Sequence, residues 1–159
     1  MLKVSSRGRY GVKVVFELAM HHGDGPIAVQ VLARRQGISE PYLEQLMPAL
    51  KRAGLVESVR GPQGGYVLTN PPDSVTVGDV VRALEGPIEV ATCTTEEPHD
   101  CPELDRCIGP DVWSRVQQVL VEVMDGMTFQ ELVEQQRQAV RARVNAAPLT
   151  PLARRETTA

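Results

Sequence analysis

Residues 28–54 read AVQVLARRQGISEPYLEQLMPALKRAG, and this stretch decides the fold. Val29, Leu32 and Ala33 share one side of a short helix over Ala28–Gln36, with Arg34 and Arg35 on the other. Gly37 follows as a C-cap, because glycine tolerates the left-handed backbone that ends a helix. Ile38 leads to Ser39, whose side-chain oxygen suits an N-cap. Glu40 and Pro41 then open a second helix, where a carboxylate favours the positive dipole end and a proline forfeits no hydrogen bond. Leu43, Leu46, Met47 and Leu50 form its apolar stripe up to Ala53 and Gly54. Pro48 departs from the pattern: its missing N–H leaves the Glu44 carbonyl without an intrahelical donor and should bend the helix. Two helices joined by a tight glycine turn make a helix-turn-helix.

The flanking sequence completes the unit. Upstream, Tyr10, Val14, Leu18 and Ala19 fall at helical spacing in a helix expected over Ser6–His22, closed by Gly23. Asp24-Gly25-Pro26 is a turn. Downstream, residues 55–59 read as a strand, residues 60–65 (RGPQGG) as a loop and residues 66–68 as a returning strand, together a β-hairpin. The fold class is therefore mainly α: a winged helix-turn-helix with a small β-hairpin wing, residues 1–72.

The rest is expected to be an extension of a different character. Thr76, with Asp79 three residues on, opens a linking helix within residues 73–90. Residues 91–110 carry all three cysteines and look irregular. Trp113, Val116, Leu120, Val123 and Met127 step by three and four along a long helix over Asp111–Gly126, an a/d seam suited to pairing with a second copy. Thr128 and Glu131 form another capping box before a last helix up to Val144. Residues 145–159 are expected to be a disordered tail.

The charge is unevenly divided. Residues 1–72 hold nine Lys/Arg against five Asp/Glu; residues 73–159 hold eight against fifteen, within a net charge of -3. A basic first half is drawn to phosphates and an acidic second half is not. With Leu43, Leu46 and Leu50 buried, the second helix of the motif presents Glu40, Pro41, Glu44, Gln45, Lys51 and Arg52 outward, beginning at Ser39. In this motif the N-terminal part of that helix meets base edges in the major groove. Gln45 can bond adenine through both amide groups, and Glu44 can accept from a cytosine amino group. Lys51 and Arg52 suit phosphates, Arg7 and Arg9 are further basic candidates, and Arg60 at the wing suits a narrow minor groove.

The combination becomes specific in residues 6–10 (SRGRY), 36–39 (QGIS), 42–46 (YLEQL), 53–56 (AGLV) and 60–66 (RGPQGGY). Together these resemble the Rrf2 family of bacterial transcription regulators, over residues 1 to about 136. The resemblance implies a homodimer with two winged domains, a long dimerisation helix and a pseudo-palindromic double-stranded promoter site; a repressor is expected, with activation left open. It puts base contacts at Pro41, Glu44 and Gln45, with Arg60 in the minor groove. Many members carry a small residue such as serine where Pro41 stands.

Cys93, Cys101 and Cys107 are separated by seven and five residues. An odd number of cysteines argues against a disulfide framework, and the spacing is not that of a zinc ribbon. In iron–sulfur members of the family three cysteines at this place bind a 2Fe–2S cluster, usually with five residues in the first gap. Thiolates are soft ligands for such iron, and a loop can wrap a cluster. The fourth ligand stays open between His99, Asp111 and a residue of a second subunit. His99 reads equally as a surface histidine, and Asp111 as a helix cap. Two alternatives stand beside the cluster: a cluster-free regulator of sulfur and cysteine metabolism, as in other members, or a thiol-based redox sensor.

An enzyme is disfavoured: the chain lacks a Cys-x-x-Cys pair, a glycine-rich nucleotide loop after a strand, and any Ser/His/Asp arrangement. No apolar run is long enough to span a bilayer, and residues 1–7 hold no signal-peptide block, so a cytoplasmic location without membrane contact is expected.

Overall fold

The computed structural model describes residues 4–94 and 106–146. The helices are α1 (Ser6–Met20), α2 (Val29–Gln36), α3 (Glu40–Arg52), α4 (Val77–Glu85), α5 (Gly109–Gly126) and α6 (Phe129–Ala146). The strands β1 (Val56–Val59) and β2 (Gly65–Leu68) pair antiparallel, with Val56 opposite Leu68 and Val59 opposite Gly65. Short 3-10 turns lie at Pro72–Ser74 and Thr92–Thr94.

The helix-turn-helix is fixed by local chemistry. Gly37 closes α2 at φ 66°. Its N–H donates to the Arg34 carbonyl and the Ile38 N–H to the Ala33 carbonyl, at 3.3 and 3.0 Å. This is a Schellman motif, and it turns the chain within two residues. The Ser39 hydroxyl then accepts the Tyr42 N–H at 3.3 Å and starts α3. The same pairing recurs at the end of α3, where the Gly54 and Leu55 N–H groups bond the Lys51 and Leu50 carbonyls, each at 3.0 Å. Leu55 drops into the core there, which aims the chain into β1.

Leu43, Leu46, Met47 and Leu50 of α3 are buried against Val14, Val15 and Leu18 of α1 and Leu32 of α2. Each such side chain contributes about 1.5–3 kcal/mol of burial. The helix runs without interruption through Pro48, which sits on its exposed face. The same core continues into Val75, Val80 and Leu84 and ends with Phe129 and Val133 of α6. The winged unit thus shares its interior with α4 and α6.

Helices α4 and α6 start side by side. The Val77 N–H donates to the Met127 carbonyl and the Phe129 N–H to the Val75 carbonyl, at 3.0 and 2.9 Å. Both helices open with the capping boxes expected, Thr76 with Asp79 and Thr128 with Glu131. In contrast, α5 has no buried residue. It begins at Gly109, so Asp111 lies inside its first turn and Ile108 is the N-cap, without a side-chain bond. The expected capping role of Asp111 is thereby corrected: the helix starts earlier because Pro110 suits its first turn.

Candidate nucleic-acid interface and cysteine loop

The outer face of α3 is the clearest candidate surface. Ser39, Glu40, Pro41, Glu44, Gln45, Pro48, Lys51 and Arg52 are exposed, while the opposite face of the helix is buried. The sequence-derived residues therefore form one continuous face. Lys51 is held: its Nζ donates to Ser58 Oγ of β1 at 2.8 Å, tying the end of α3 to the hairpin. At the other end, Tyr42 meets Tyr10 of α1 edge-to-face, ring centroids 5.8 Å apart, and Lys13 Nζ lies 5.5 Å from the Tyr10 ring centre. Arg7 and Arg9 are exposed in the first turn of α1, and Arg9 donates to Ser6 Oγ at 3.1 Å.

Arg60 is exposed where the wing leaves β1. The wing is braced at its base, where Ile27 and Tyr66 exchange backbone hydrogen bonds of 3.0 and 2.9 Å. That brace explains the glycine at 65, since a Cβ there would collide with the Ile27 backbone.

Of the cysteine loop, Cys93 and Cys107 lie among the described residues, half-buried and exposed respectively. Cys101 and His99 lie outside them. Cys93 sits in the 92–94 turn, which is closed by the Thr94 N–H and hydroxyl donating to the Ala91 carbonyl at 3.0 and 2.8 Å. Cys107 stands just before α5, and its Sγ accepts the Gly109 N–H at 3.3 Å. Among the described residues no three His, Cys, Asp or Glu side chains gather as a metal group.

The expected pairing helix carries both exposed and half-buried apolar residues. Val112, Trp113, Val119 and Val123 are 44%, 42%, 57% and 53% exposed. Leu120 instead lines a groove with Met124 against Val4, Val81 and residues 87–90. Val116 and Met127 are half-buried. Sequence reading missed Val112 and Val119, although with Val116 and Val123 they step by four and three and form a second apolar stripe. It also missed Gln117. The Gln117 side chain accepts the Val90 N–H at 3.2 Å and donates to the Thr94 carbonyl at 3.3 Å. No periodic pattern marks a glutamine that bonds backbone.

One charged node joins α4 to α5. Arg82 donates to Asp125 at 2.8 Å and to Asp79 at 3.1 Å. The Asp125 hydrogen bond raises the Arg82 pKa; partial burial opposes this, and Asp79 adds to the rise. Burial alone would raise the Asp79 pKa, but the Thr76 N–H and hydroxyl and the Arg82 guanidinium outweigh it and hold that carboxyl below its usual value.

A helix-turn-helix with an exposed polar face and a braced hairpin defines a winged-helix DNA-binding protein. The chain belongs to the Rrf2 family, whose profile, described as an iron-dependent transcriptional regulator, matches residues 4–135. It is 42% identical over 132 residues to the HTH-type transcriptional regulator CymR of Bacillus subtilis, covering 82% of this chain and 89% of that protein. It is 36% identical over 135 residues to IscR of Yersinia enterocolitica, covering 85% and 81%. The structure of B. subtilis CymR, described as the global cysteine regulator, superposes with TM-score 0.70 at 42% identity, over 85% of this chain and 98% of that one. T. potens IscR gives 0.71 at 41%, over 87% and 90%. The chain is accordingly a DNA-binding transcriptional regulator, and these relatives are regulators rather than enzymes. Among the described residues no helix is long and apolar enough to cross a membrane.

Proposed function

We propose that this regulator is a homodimeric repressor that reads double-stranded promoter DNA with Pro41, Glu44 and Gln45 of α3, and places Arg60 in the flanking minor groove. The observation that carries this reading is the division of α3 into one buried apolar face and one exposed polar face. Lys51, Arg52, Arg7 and Arg9 serve phosphates, which fix register without reading sequence. Selection of random duplexes with the purified protein tests it. A two-fold symmetric consensus is expected, and binding with no sequence preference at any salt would refute it.

The dimer is formed by α5. Val112, Val116, Val119 and Val123 are self-complementary about a point between residues 117 and 118. In an antiparallel pair, Val112 then faces Val123 and Val116 faces Val119. That is the symmetry an isologous contact requires.

In the same reading, Cys93, Cys101 and Cys107 hold a 2Fe–2S cluster. The donor set fits such a group: soft thiolates on a loop, one of them already accepting a backbone N–H. A bound cluster would supply one-electron redox chemistry and sensitivity to oxidants. The chain itself supplies the loop, the Gly109 N–H and a fourth ligand drawn from His99, Asp111 or the partner subunit. The similarity to CymR, at 42% identity beside 41% for T. potens IscR, supports a second reading equally. In it the chain is a cluster-free regulator of cysteine metabolism, or a thiol redox sensor. Anaerobic purification followed by iron and sulfide analysis separates the two. Two irons and two sulfides per chain are expected for the cluster, and a colourless protein after reconstitution removes it.

A further inference from the structure

We propose that Gln117 is a positioning residue that ties the Cys93 turn to α5, so that a change at Cys93 reaches the pairing helix through its side-chain amide, beside the direct link from Cys107 to the first residue of α5. The proposal rests on the reading above, in which the loop carries the signal and α5 makes the dimer. The geometry is specific. Gln117 accepts the Val90 N–H at 3.2 Å and donates to the Thr94 carbonyl at 3.3 Å, so its two bonds straddle Cys93.

The turn it grips is a unit in itself. The Ala91 carbonyl accepts both the N–H and the hydroxyl of Thr94, and the Ala91 N–H reaches Thr94 Oγ1 at 3.3 Å. A displacement of Cys93 therefore moves residues 91–94 together rather than being absorbed between them. The helix it is tied to is easily moved. It has no fully buried residue and is held to its own chain by the half-buried Leu120 and Met124 and by the Arg82–Asp125 pair, a lighter hold than a close-packed core would give. Gln117 also lies level with the midpoint of the Val112–Val123 stripe, on a side of α5 that meets its own chain, and a rotation of α5 alters every contact of the pair at once. Since the spacing of two recognition helices must match the helical repeat of DNA, a small movement here is read as a change in affinity.

The test compares wild type with Gln117→Leu, which removes both bonds at similar volume, and Gln117→Glu, which keeps the acceptor for Val90 and loses the donor to Thr94. The position is half-buried, so both chains are expected to fold. Three quantities are read in each full-length protein: hydrogen exchange of the Val90 amide, fluorescence of Trp113, the single tryptophan, and affinity for a duplex selected with the wild type. Affinity is measured before and after anaerobic reconstitution with iron and sulfide, and again after thiol oxidation.

In Gln117→Leu the Val90 amide is expected to exchange about five- to tenfold faster, as for one lost hydrogen bond. In Gln117→Glu it stays near wild type. The affinity ratio between the two states of the loop should fall toward unity in Gln117→Leu, and the accompanying Trp113 signal should shrink with it, while iron content or thiol count is unchanged. An unaltered ratio in Gln117→Leu, or an unaltered Val90 exchange rate, overturns the proposal. If wild type itself shows equal affinity in every loop state, the sensing reading fails instead, and the coupling role of Gln117 falls with it.

Discussion

The carboxylate of Glu85, the last residue of α4, accepts the backbone N–H of Gly8 in α1 at 2.8 Å. It also takes the hydroxyl of Ser5, the N-cap of α1. An acidic side chain from one helix thus completes the N-terminus of another, where the dipole favours negative charge. This closeness is possible because α1 turns two glycines, Gly8 and Gly11, toward α4.

The two glycines should not respond alike to alanine. A Cβ at Gly11 would fall on Cδ1 of Leu84, a buried side chain backed by Val80. Overpacking of this kind costs about 1–3 kcal/mol, against about 1 kcal/mol returned by helix propensity. A Cβ at Gly8 would meet the end of the exposed Glu85 side chain and Cγ1 of Val4; the carboxylate can swing aside, giving up its bonds to Gly8 and Ser5 against the helix propensity that alanine returns. Gly11→Ala is expected to lower the thermal midpoint, and Gly8→Ala to leave it within about 2 °C. Thermal denaturation followed by circular dichroism checks the order; the reverse order would contradict the packing.

Asp79 should impose an acid limit on stability. Its folded pKa lies below the ordinary 3.8. Its contribution is therefore fully present above the unfolded value, and is lost as pH falls through the folded one, below about pH 4. Asp79→Ala should cost about 1 kcal/mol at pH 7, discounted for the partial exposure of the side chain. Below pH 4 the variant and the wild type should converge. Urea titrations at pH 7 and pH 3 measure this, and an equal gap at both pH values would refute it.

Substitutions on the reading face should separate sequence discrimination from phosphate attraction. Gln45→Ala is expected to cost about 1–3 kcal/mol on the selected operator and to flatten preference at one position of each half-site. Arg52→Ala should weaken all duplexes alike and reduce the salt slope. Lys51 is committed to Ser58 in the free protein, so Lys51→Ala should change the slope less than Arg52→Ala does. Fluorescence anisotropy over a salt series gives both quantities, and loss of discrimination in Arg52→Ala alone would reverse the assignment.

Pro48 lies on that exposed face, inside a helix that continues past it. A proline at such a position costs up to about 3 kcal/mol, because it offers no N–H to the carbonyl four residues back. Pro48→Ala returns a donor to Glu44, so stability should rise by about 1–3 kcal/mol. The Glu44 backbone carbonyl would then be engaged within the helix, and operator affinity should change at the position proposed to be read by Glu44. A variant no more stable than wild type would show that the helix had already accommodated the ring.

How far the sequence carried the fold depended on whether a residue acts locally. Gly37, Ser39, Gly54, Thr76 and Thr128 work through bonds to near neighbours, and each is found where the sequence puts it. The exposed polar face of α3 was legible for the same reason, since Leu43, Leu46 and Leu50 fix which side is left. Glu85 on Gly8, Arg82 on Asp125 and Gln117 on the Cys93 turn were not legible. Each joins segments distant in sequence and uses residue types common on any surface. Helix α5 is ambiguous for a different reason. It carries two apolar stripes, one through Leu120 and one through Val119, and periodicity cannot say which of them the rest of the chain covers.

That distinction yields a decisive pair of substitutions. Val119 is 57% exposed, whereas Leu120 faces Met124, Val81 and residues 87–90. In the antiparallel pairing proposed for α5, Val119 sits beside the two-fold axis, opposite Val116 of the partner subunit. Val119→Glu places two like charges near the axis and strips apolar area from both chains, so it should give a folded monomer in sedimentation velocity with a thermal midpoint close to wild type. Leu120→Glu instead puts a charge into the groove under α5, where Glu85 and Glu89 already stand. It should loosen the seating of the helix on its own chain, lowering the midpoint and exposing Trp113 further to quenchers. Should Leu120→Glu dissociate the dimer at unchanged stability while Val119→Glu leaves it intact, the pairing stripe is the one through Leu120, and the register about residues 117 and 118 is wrong.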